Sequence, residues 1–512
     1  METMEQALAK LSQLEEEARK GGGEEKILQQ REKGKLAARE RIDLLLDPGS
    51  FEELDPFARA SFGKEDMGVL GDGVITGYGR VNGRVVAVYA QDATVKGGSV
   101  GAVHRSKIVD TINGALKLRV PLIALNDSSG ERFQESLQGR GSIFFSYAQA
   151  SGVIPLISVI LGTCAGNAVY GAALTDFIFA VKGLSHLFVT GPKVIQEVTG
   201  EKITLEKLGG AKVHHEVSGT VDFLAENEQE VFLQIRRLLS FLPSNNSEDP
   251  PATSIGLEEN PLRSQLLRIV PADMKKPYDM HEVILCLVDG EDFLEIKSGF
   301  APNVIVGVAR LGGKVVGIIA NQPRFYAGSI TVDSSDKMAR FIRFCDAFNI
   351  PLLFLVDTPA YLPGVNQEHQ GIIRHGAKVL FALSEATVPK ACVILRKAFG
   401  GGFPAMGCDK RMGTDRVFAW PIAQRATVGA EGAVEVIYRK EIEQAADPEA
   451  FKQKKIEEYK EIFYSPYYAA SLQLIDRIID PQETRLQVFR ALEILQSKRE
   501  QRPWKKHNNL PM

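Results

Sequence analysis

The chain has 512 residues, 44% hydrophobic and 24% charged, with a formal net charge of −3. That length exceeds what one core can fill and calls for two or three domains, while the near-neutral balance lacks the basic surplus of a nucleic-acid binder. Five scattered cysteines with no Cys-x-x-Cys pair and eight histidines without metal spacing exclude a disulfide framework and a metal site, and fit the reduced thiols of a cytoplasmic protein.

The N-terminal "METMEQALAKLSQLEEEARKGGG" is charged and helical in pattern, with no apolar signal core. Val85–Tyr89 is a continuous apolar run with β-branched residues and predicts a buried strand. Ile108, Val109, Ile112 and Ala115 follow at helical spacing, then a proline-introduced strand at Leu122–Asn126 and a helix over Ile143–Ala150. Val153 to Thr175 carries no charge and is long enough to span a membrane. Pro155, Gly162, Gly166, Asn167 and Gly171 interrupt it, so a buried strand running into a small-residue helix fits better, without membrane insertion.

The same series then recurs. "LLDPGSFEEL" (45–54) is answered by "LVDGEDFLEI" (287–296), "NGRVVAVYAQ" (82–91) by "GGKVVGIIAN" (312–321), and "VPLIALNDSSG" (120–130) by "IPLLFLVDTPA" (350–360). "VIPLISVILG" (153–162) returns as "TVPKACVILR" (387–396), and "TDFIFAV" (175–181) as "TDRVFAW" (414–420). Five matches in one order establish an internal duplication. Strands alternating with helices make each copy an α/β domain with a parallel sheet. The polar, proline-rich stretch 242–261 marks the join, with expected domains 1–255 and 256–512.

"FGGGF" (399–403) and its counterpart "CAGNAV" (164–169) both end a buried strand and precede a helix of small residues. Ligands bind at that end of open α/β sheets, and a helix start offers unpaired N–H groups. The pattern reads as a backbone oxyanion hole used twice. "GGSVG" (97–101) imitates a nucleophile elbow, but no strand runs straight into Ser99. Ser99 and its repeat partner Ser329 are expected to cap helices. Asp127 and Asp357 end strands at the active edge, as acids, bases or turn caps. His214, His215 and His375 are expected to be surface or hydrogen-bonded residues.

"ASGVIPLISVILGTCAGNAVYGAALTDF", "RFIRFCDAFNIPLLFLVDTPAYLPG", "GIIRHGAKVLFALSEATVPK" and "AFGGGFPAM" resemble the carboxyltransferase subunits of biotin-dependent acyl-CoA carboxylases and decarboxylases, of the propionyl-CoA and methylmalonyl-CoA type. The resemblance runs from about Gly34 to the C-terminus. It implies two tandem crotonase-like domains, the first on the acyl-CoA side and the second on the biotin side, in a homohexamer built as a dimer of trimers. It implies N–H groups of Gly166 and Asn167 on the thioester oxygen, those of Gly401 and Gly402 on the biotin oxygen, and substrate contacts at Ser129, Gly130, Tyr170 and Pro404. Biotin's own nitrogen would take the proton, so no side-chain base is required.

No Ala-Met-Lys-Met biotinylation site is present, so the biotin is expected on a carrier protein or biotin-carrying subunit. Several positions depart from the family's usual spelling. Asn167 stands where glycine is common, Glu131 and Phe133 replace Ala and Ile, and Ala360 and Tyr361 replace Gly and Phe. Pro404 occupies the position that sets acyl preference. Two rival readings are a biotin-free acyl-CoA hydratase or isomerase, which needs a carboxylate near the thioester hole, and a non-catalytic CoA-ester-binding subunit of a membrane decarboxylase.

Overall fold

The computed structural model describes residues 3–60, 68–135, 139–254, 256–257 and 260–511. The chain divides between Glu248 and Asp249 into two compact units. The division falls inside the polar, proline-rich join, and Ile255, at the expected end of the first domain, lies outside the described residues.

In the first unit β1 (Glu52–Leu54), β2 (Val74–Val81) and β3 (Arg84–Gln91) pair antiparallel. From β3 the sheet continues in parallel through β4 (Leu122–Ser128), β5 (Leu156–Ala165), β6 (Phe177–Val181) and β8 (Phe223–Ala225), while β7 (His186–Phe188) pairs with the outer end of β5. The second unit repeats this plan. Its β9 (Phe293–Ile296), β10 (Val304–Leu311) and β11 (Lys314–Asn321) are antiparallel, and β12 (Leu352–Thr358), β13 (Lys390–Phe399), β14 (Arg416–Ala419) and β16 (Arg477–Ile478) extend it in parallel. There β15 (Gln424–Ala426) takes the place of β7 beside β13. The uncharged stretch 153–175 is therefore β5 and a short helix, Asn167–Ala173, and no helix among the described residues is long and apolar enough to cross a membrane.

The duplication extends to single hydrogen bonds. The two-residue turns Asn82–Gly83 and Gly312–Gly313 hold positive φ at both positions, as tight hairpins require. Asp47 accepts both N–H groups of the first turn and Asp289 both of the second. Lys107 and Lys337 each bury an ammonium on backbone carbonyls, the first on Gly71 and Val74, the second on Lys297 and Phe300. Ile108, Ile112 and Ala115 of the helix Ala102–Leu118 pack with Tyr147 and Ala150 of the helix Ile143–Ala150 over β3 and β4. Burying each such isoleucine contributes about 1.5–3 kcal/mol.

Ser99 does not cap the helix Ala102–Leu118, nor Ser329 its repeat counterpart Val332–Ala347. Gly101 and Thr331 do, the latter with a reciprocal hydrogen bond to Ser334. Short parallel bridges, Val100 to Glu131 and Ile330 to Tyr361, keep the chain extended past each serine and delay the helix start. Ser99 Oγ instead donates to Lys96 O (2.7 Å) and accepts from Arg132 Nε (3.2 Å).

At the outer end of β5 the register slips. Asn126 faces Ile160, yet Ser128 faces Cys164, so β5 carries extra residues that bulge and redirect Asp127. The second sheet has the same slip between Val356 and Thr358, at Asp357. Both aspartates are buried ion-pair partners rather than free acids or bases. Asp127 meets Lys35 at 2.5 Å and Arg41 at 3.1 Å, and Arg41 also binds Glu228 and Leu161 O. Asp357 meets Arg396 at 2.8 Å, whose guanidinium holds Pro271, Asp273 and Lys276 carbonyls and stacks on Tyr278. Arg396 is the repeat counterpart of Gly162, where a Cβ would stand 2.1 Å from Asp127 Oδ1.

Removing one partner of such a pair strands a buried charge. Asp127→Ala should cost about 3–5 kcal/mol in urea unfolding, and a loss below about 1 kcal/mol would mean that Arg41 and Lys35 are solvated without it. His104, fully buried, has Nδ1 on Asp72 O and Nε2 on the Gln91 amide, so both nitrogens are committed in the neutral form. Burial, with Arg132 close by, lowers its pKa from 6.5 to about 3. Between those values the unfolded chain takes up a proton that the native state excludes, so stability falls with acid, by up to about 1.4 kcal/mol per pH unit. His104→Gln should flatten that part of the urea-midpoint profile, and parallel profiles for both proteins would show that His104 titrates normally.

Candidate active site

Beyond each bulge the strand end is held by its small neighbour. β5 pairs there with β7, and β13 with β15. Gly166 follows with φ 58° and ψ −130°, a conformation only glycine adopts readily, and its N–H donates to Phe188 O at 3.1 Å. Gly400 repeats this with φ 55° and an N–H bond to Ala426 O at 3.0 Å. These glycines close the sheet and turn the chain through the left-handed region. The next two N–H groups, of Asn167 and Ala168 and of Gly401 and Gly402, have no partner among the described residues. Gly166 is thus a pivot whose N–H is already engaged, which differs from its expected role as a donor. Ala168 was not singled out in the sequence, because the partner of Gly166 lies on a three-residue strand with no periodic signal.

Asn167 and Ala168 open onto a cavity of about 220 Å³ in the first unit. Its lining includes Tyr89, Gln91 and Asn126 at the strand ends, Ile143 and Phe144 at a helix start, and Arg105 facing Glu131. Arg105 Nη2 donates to Glu131 Oε1 at 3.2 Å, and the pair is largely buried. Tyr89 OH meets Tyr147 OH at 2.8 Å and Asn126 Oδ1 at 3.3 Å. Gly130 runs beside this site at φ 106°, its carbonyl accepting from Val100 and its N–H bonded to Ser128 Oγ. Ser129 is exposed and donates its N–H to Gly97 O. Tyr170 is exposed on the short helix and does not line the cavity.

In the second unit Tyr361 lies under the glycine loop, 3.3 Å from where a Gly401 Cβ would stand, and its hydroxyl finds Gly376 O at 3.4 Å. A Cβ on Gly402 would stand 3.1 Å from Ala360 Cα and from Thr358 Cγ2. The crowding comes from the backbone of residue 360, which a glycine there would share, and from the Thr358 methyl. Pro404 sits in the single helical turn Gly402–Ala405, where its missing N–H would have had no intrahelical partner. Arg425 stacks over Phe403 of the same turn at 4.6 Å.

Among the described residues, the cysteine and histidines nearest the glycine turns in sequence are buried or engaged. Burial, with Asp127 adding to it, pushes the Cys164 thiol up to about 12. His214 has both ring nitrogens engaged, with Leu187 O and Ser218 Oγ, and His215 is buried. His375 is bound to Asp336 at 2.8 Å.

The two sheets share one plan, and each ends in a glycine turn followed by two N–H groups with no partner among the described residues. The chain belongs to the carboxyl transferase domain family, which matches residues 29–510. It is 52% identical to the putative propionyl-CoA carboxylase beta chain of Bacillus subtilis (strain 168), covering 97% of each chain, and 48% identical to the methylmalonyl-CoA decarboxylase subunit alpha of Veillonella parvula, covering 100% of each. The crystal structure of the transcarboxylase 12S hexamer with methylmalonyl-CoA and methylmalonic acid bound superposes with a TM-score of 0.97 at 47% identity, over 100% of this chain and 99% of that one. The α/β fold with two crotonase-like domains is that of the 12S structure.

The crowding at Gly402 has a measurable consequence. Gly402→Ala should lose about 1–3 kcal/mol in thermal unfolding, Gly401→Ala less, because a tyrosine ring yields more easily than backbone. Adding Thr358→Ser, which removes the Cγ2 methyl, should restore only part of the loss in Gly402→Ala, because the backbone of residue 360 stays; no restoration at all would mean that the methyl does not take part in the crowding.

Proposed function

We propose that this chain moves a carboxyl group between carrier-borne biotin and the α-carbon of a short acyl-CoA of the propionyl-CoA and methylmalonyl-CoA type. The observation that carries this reading is the duplicated glycine turn with two free N–H groups in each unit. One hole suffices for a reaction on a single thioester, whereas two suit a transfer in which negative charge appears on two different carbonyl oxygens. The first unit is the acyl-CoA side and the second the biotin side, in a hexamer arranged as a dimer of trimers, with the biotin brought by a carrier protein or biotin-carrying subunit. Five buried free thiols suit a cytoplasmic setting.

Biotin in its carboxylated form supplies the carboxyl group and a ring nitrogen able to exchange a proton with the α-carbon. The N–H groups of Asn167 and Ala168 bind the thioester oxygen as it gains charge, and those of Gly401 and Gly402 bind the urea oxygen on the other side. The donor set fits that group: two adjacent backbone N–H groups beside a tyrosine ring, with no hydrogen-bond partner among the described residues. Each such donor is typically worth about 2.7–4 kcal/mol of barrier. Ser129 and Gly130 border the thioester side, Tyr170 offers an exposed ring to the CoA arm, and Pro404 shapes the acyl preference.

A biotin-free hydratase or isomerase is a second reading, favoured by one observation: Glu131 shares the cavity with Asn167. Its pairing with Arg105 removes it from duty as a free base. Carboxylated biotin carrier tested against a panel of acyl-CoA esters decides between them. Transfer to propionyl-CoA, with no hydration of a 2-enoyl-CoA, is the expected result; hydration without transfer would reverse the assignment. In the same panel Pro404→Asp should shift kcat/KM among short, branched and dicarboxylic esters more than it lowers the best value. An equal loss for every ester would reduce Pro404 to a support of its turn.

A further inference from the structure

We propose that Tyr361 is the residue that makes the two glycine turns unlike: its ring fills, in the second unit, the space that stands open as the acyl cavity in the first, and so positions the Gly401 and Gly402 N–H groups. This rests on the carboxyltransferase reading above. The backbone sets the correspondence. Val100 donates its N–H to Gly130 O and accepts from Arg132 N–H, and Ile330 does the same with Ala360 and Leu362, so Glu131 and Tyr361 are counterparts. Gly166 and Gly400 donate alike to Phe188 and Ala426, which matches Asn167 with Gly401. Counted back from the helix ends at Ser151 and Ala386, Gly141 matches Gly376.

Glu131, Gly141 and Asn167 all line the cavity of the first unit. In the second unit the Tyr361 ring lies between the counterparts of the other two. One edge stands 3.3 Å (Cδ2) and 3.5 Å (Cε2) from where a Gly401 Cβ would be. The opposite edge stands 3.0 Å (Cε1) and 2.9 Å (the hydroxyl) from the place of a Gly376 Cβ. Gly376 lies inside the helix Ile372–Glu385, where glycine is unfavourable, and Gly401 has φ −68°, open to any residue. The backbone therefore demands glycine at neither position, whereas the ring crowds a Cβ at both. Glu131, by contrast, turns its carboxylate to Arg105. With the ring in place the second turn is shut to an acyl chain from behind, and its N–H groups serve a compact group such as the urea oxygen. Such donors stabilise developing charge only while they are held in place.

The test compares Tyr361→Ala with the parent, as full-length proteins, in two half-reactions. CO2 release from carboxybiotin without acyl-CoA should fall roughly 10- to 100-fold, in kcat more than in KM, as a donor pair displaced by about 1 Å would make it. α-Proton exchange of propionyl-CoA in deuterated buffer should stay near the parent rate. Tyr361→Phe keeps the ring and loses only a 3.4 Å hydrogen bond, so it should recover most of the CO2 release. Phenol, which matches the deleted group, should enter the vacated space and return part of the rate to Tyr361→Ala. If Tyr361→Ala does not assemble, Tyr361→Leu must show the same one-sided loss. Equal losses in both half-reactions, an unchanged CO2 release, or a loss that neither Tyr361→Phe nor phenol repairs overturns the inference and leaves the carboxyltransferase reading standing. A parent that releases no CO2 from carboxybiotin and carboxylates no acyl-CoA overturns that reading itself.

Discussion

A buried aspartate at the bulge of each sheet is the constraint on which the active end depends. The bulge swings Asp127 and Asp357 inward, where a carboxylate is costly unless it is paired. The two units meet that demand differently. In the second, Arg396 on β13 supplies the cation and ties down the chain at 271–276. In the first, the counterpart position is Gly162, and its vacant Cβ space lets Lys35 and Arg41 reach in from the N-terminal segment. Arg41 then joins the bulge to Glu228 on the helix Glu228–Phe241. In both units the buried carboxylate thus ties down the segment ahead of the first antiparallel strand, through Lys35 and Arg41 in the first and through the carbonyls at 271–276 in the second.

From the fixed bulge the rest follows by short steps. The strand end pairs with a three-residue neighbour, a glycine at positive φ spends its N–H there, and the next two N–H groups emerge with no internal partner. The helices that follow are too short for a large dipole, so in the proposed reaction the stabilisation would come from the N–H groups themselves. Backbone donors held by a sheet need no reorganisation as charge develops, and that is where such catalysis gains most.

Much of this was legible in the sequence. Apolar runs and helical spacing located the strands and helices, the helix Ile143–Ala150 to the residue, and the repeat located both glycine turns. What escaped depended on contacts between distant residues. The bond from Gly166 to Phe188 cannot be read from a three-residue strand, so the first N–H without an internal partner among the described residues is that of Asn167, one position beyond Gly166. Ser99 was misplaced as a cap because the bridge of Val100 to Glu131 keeps the chain extended there. Glu131 stood out as a departure from the family's spelling, yet only the fold brings it to Arg105 and into the cavity with Asn167.

The central claim is that two sets of backbone N–H groups divide the reaction between them. Proline and alanine place a Cβ at the same point, but only proline deletes the N–H, and Gly401 already has φ −68°. The decisive measurement compares Asn167→Pro with Asn167→Ala, and Gly401→Pro with Gly401→Ala, in two half-reactions. These are α-proton exchange of propionyl-CoA in deuterated buffer with biotin present, and CO2 release from carboxybiotin without acyl-CoA. Asn167→Pro should depress the first by roughly 100- to 1000-fold and spare the second, Gly401→Pro should do the reverse, and both alanine variants should stay near the parent. Proline variants that assemble, bind CoA esters and keep parental rates in both half-reactions would contradict the account.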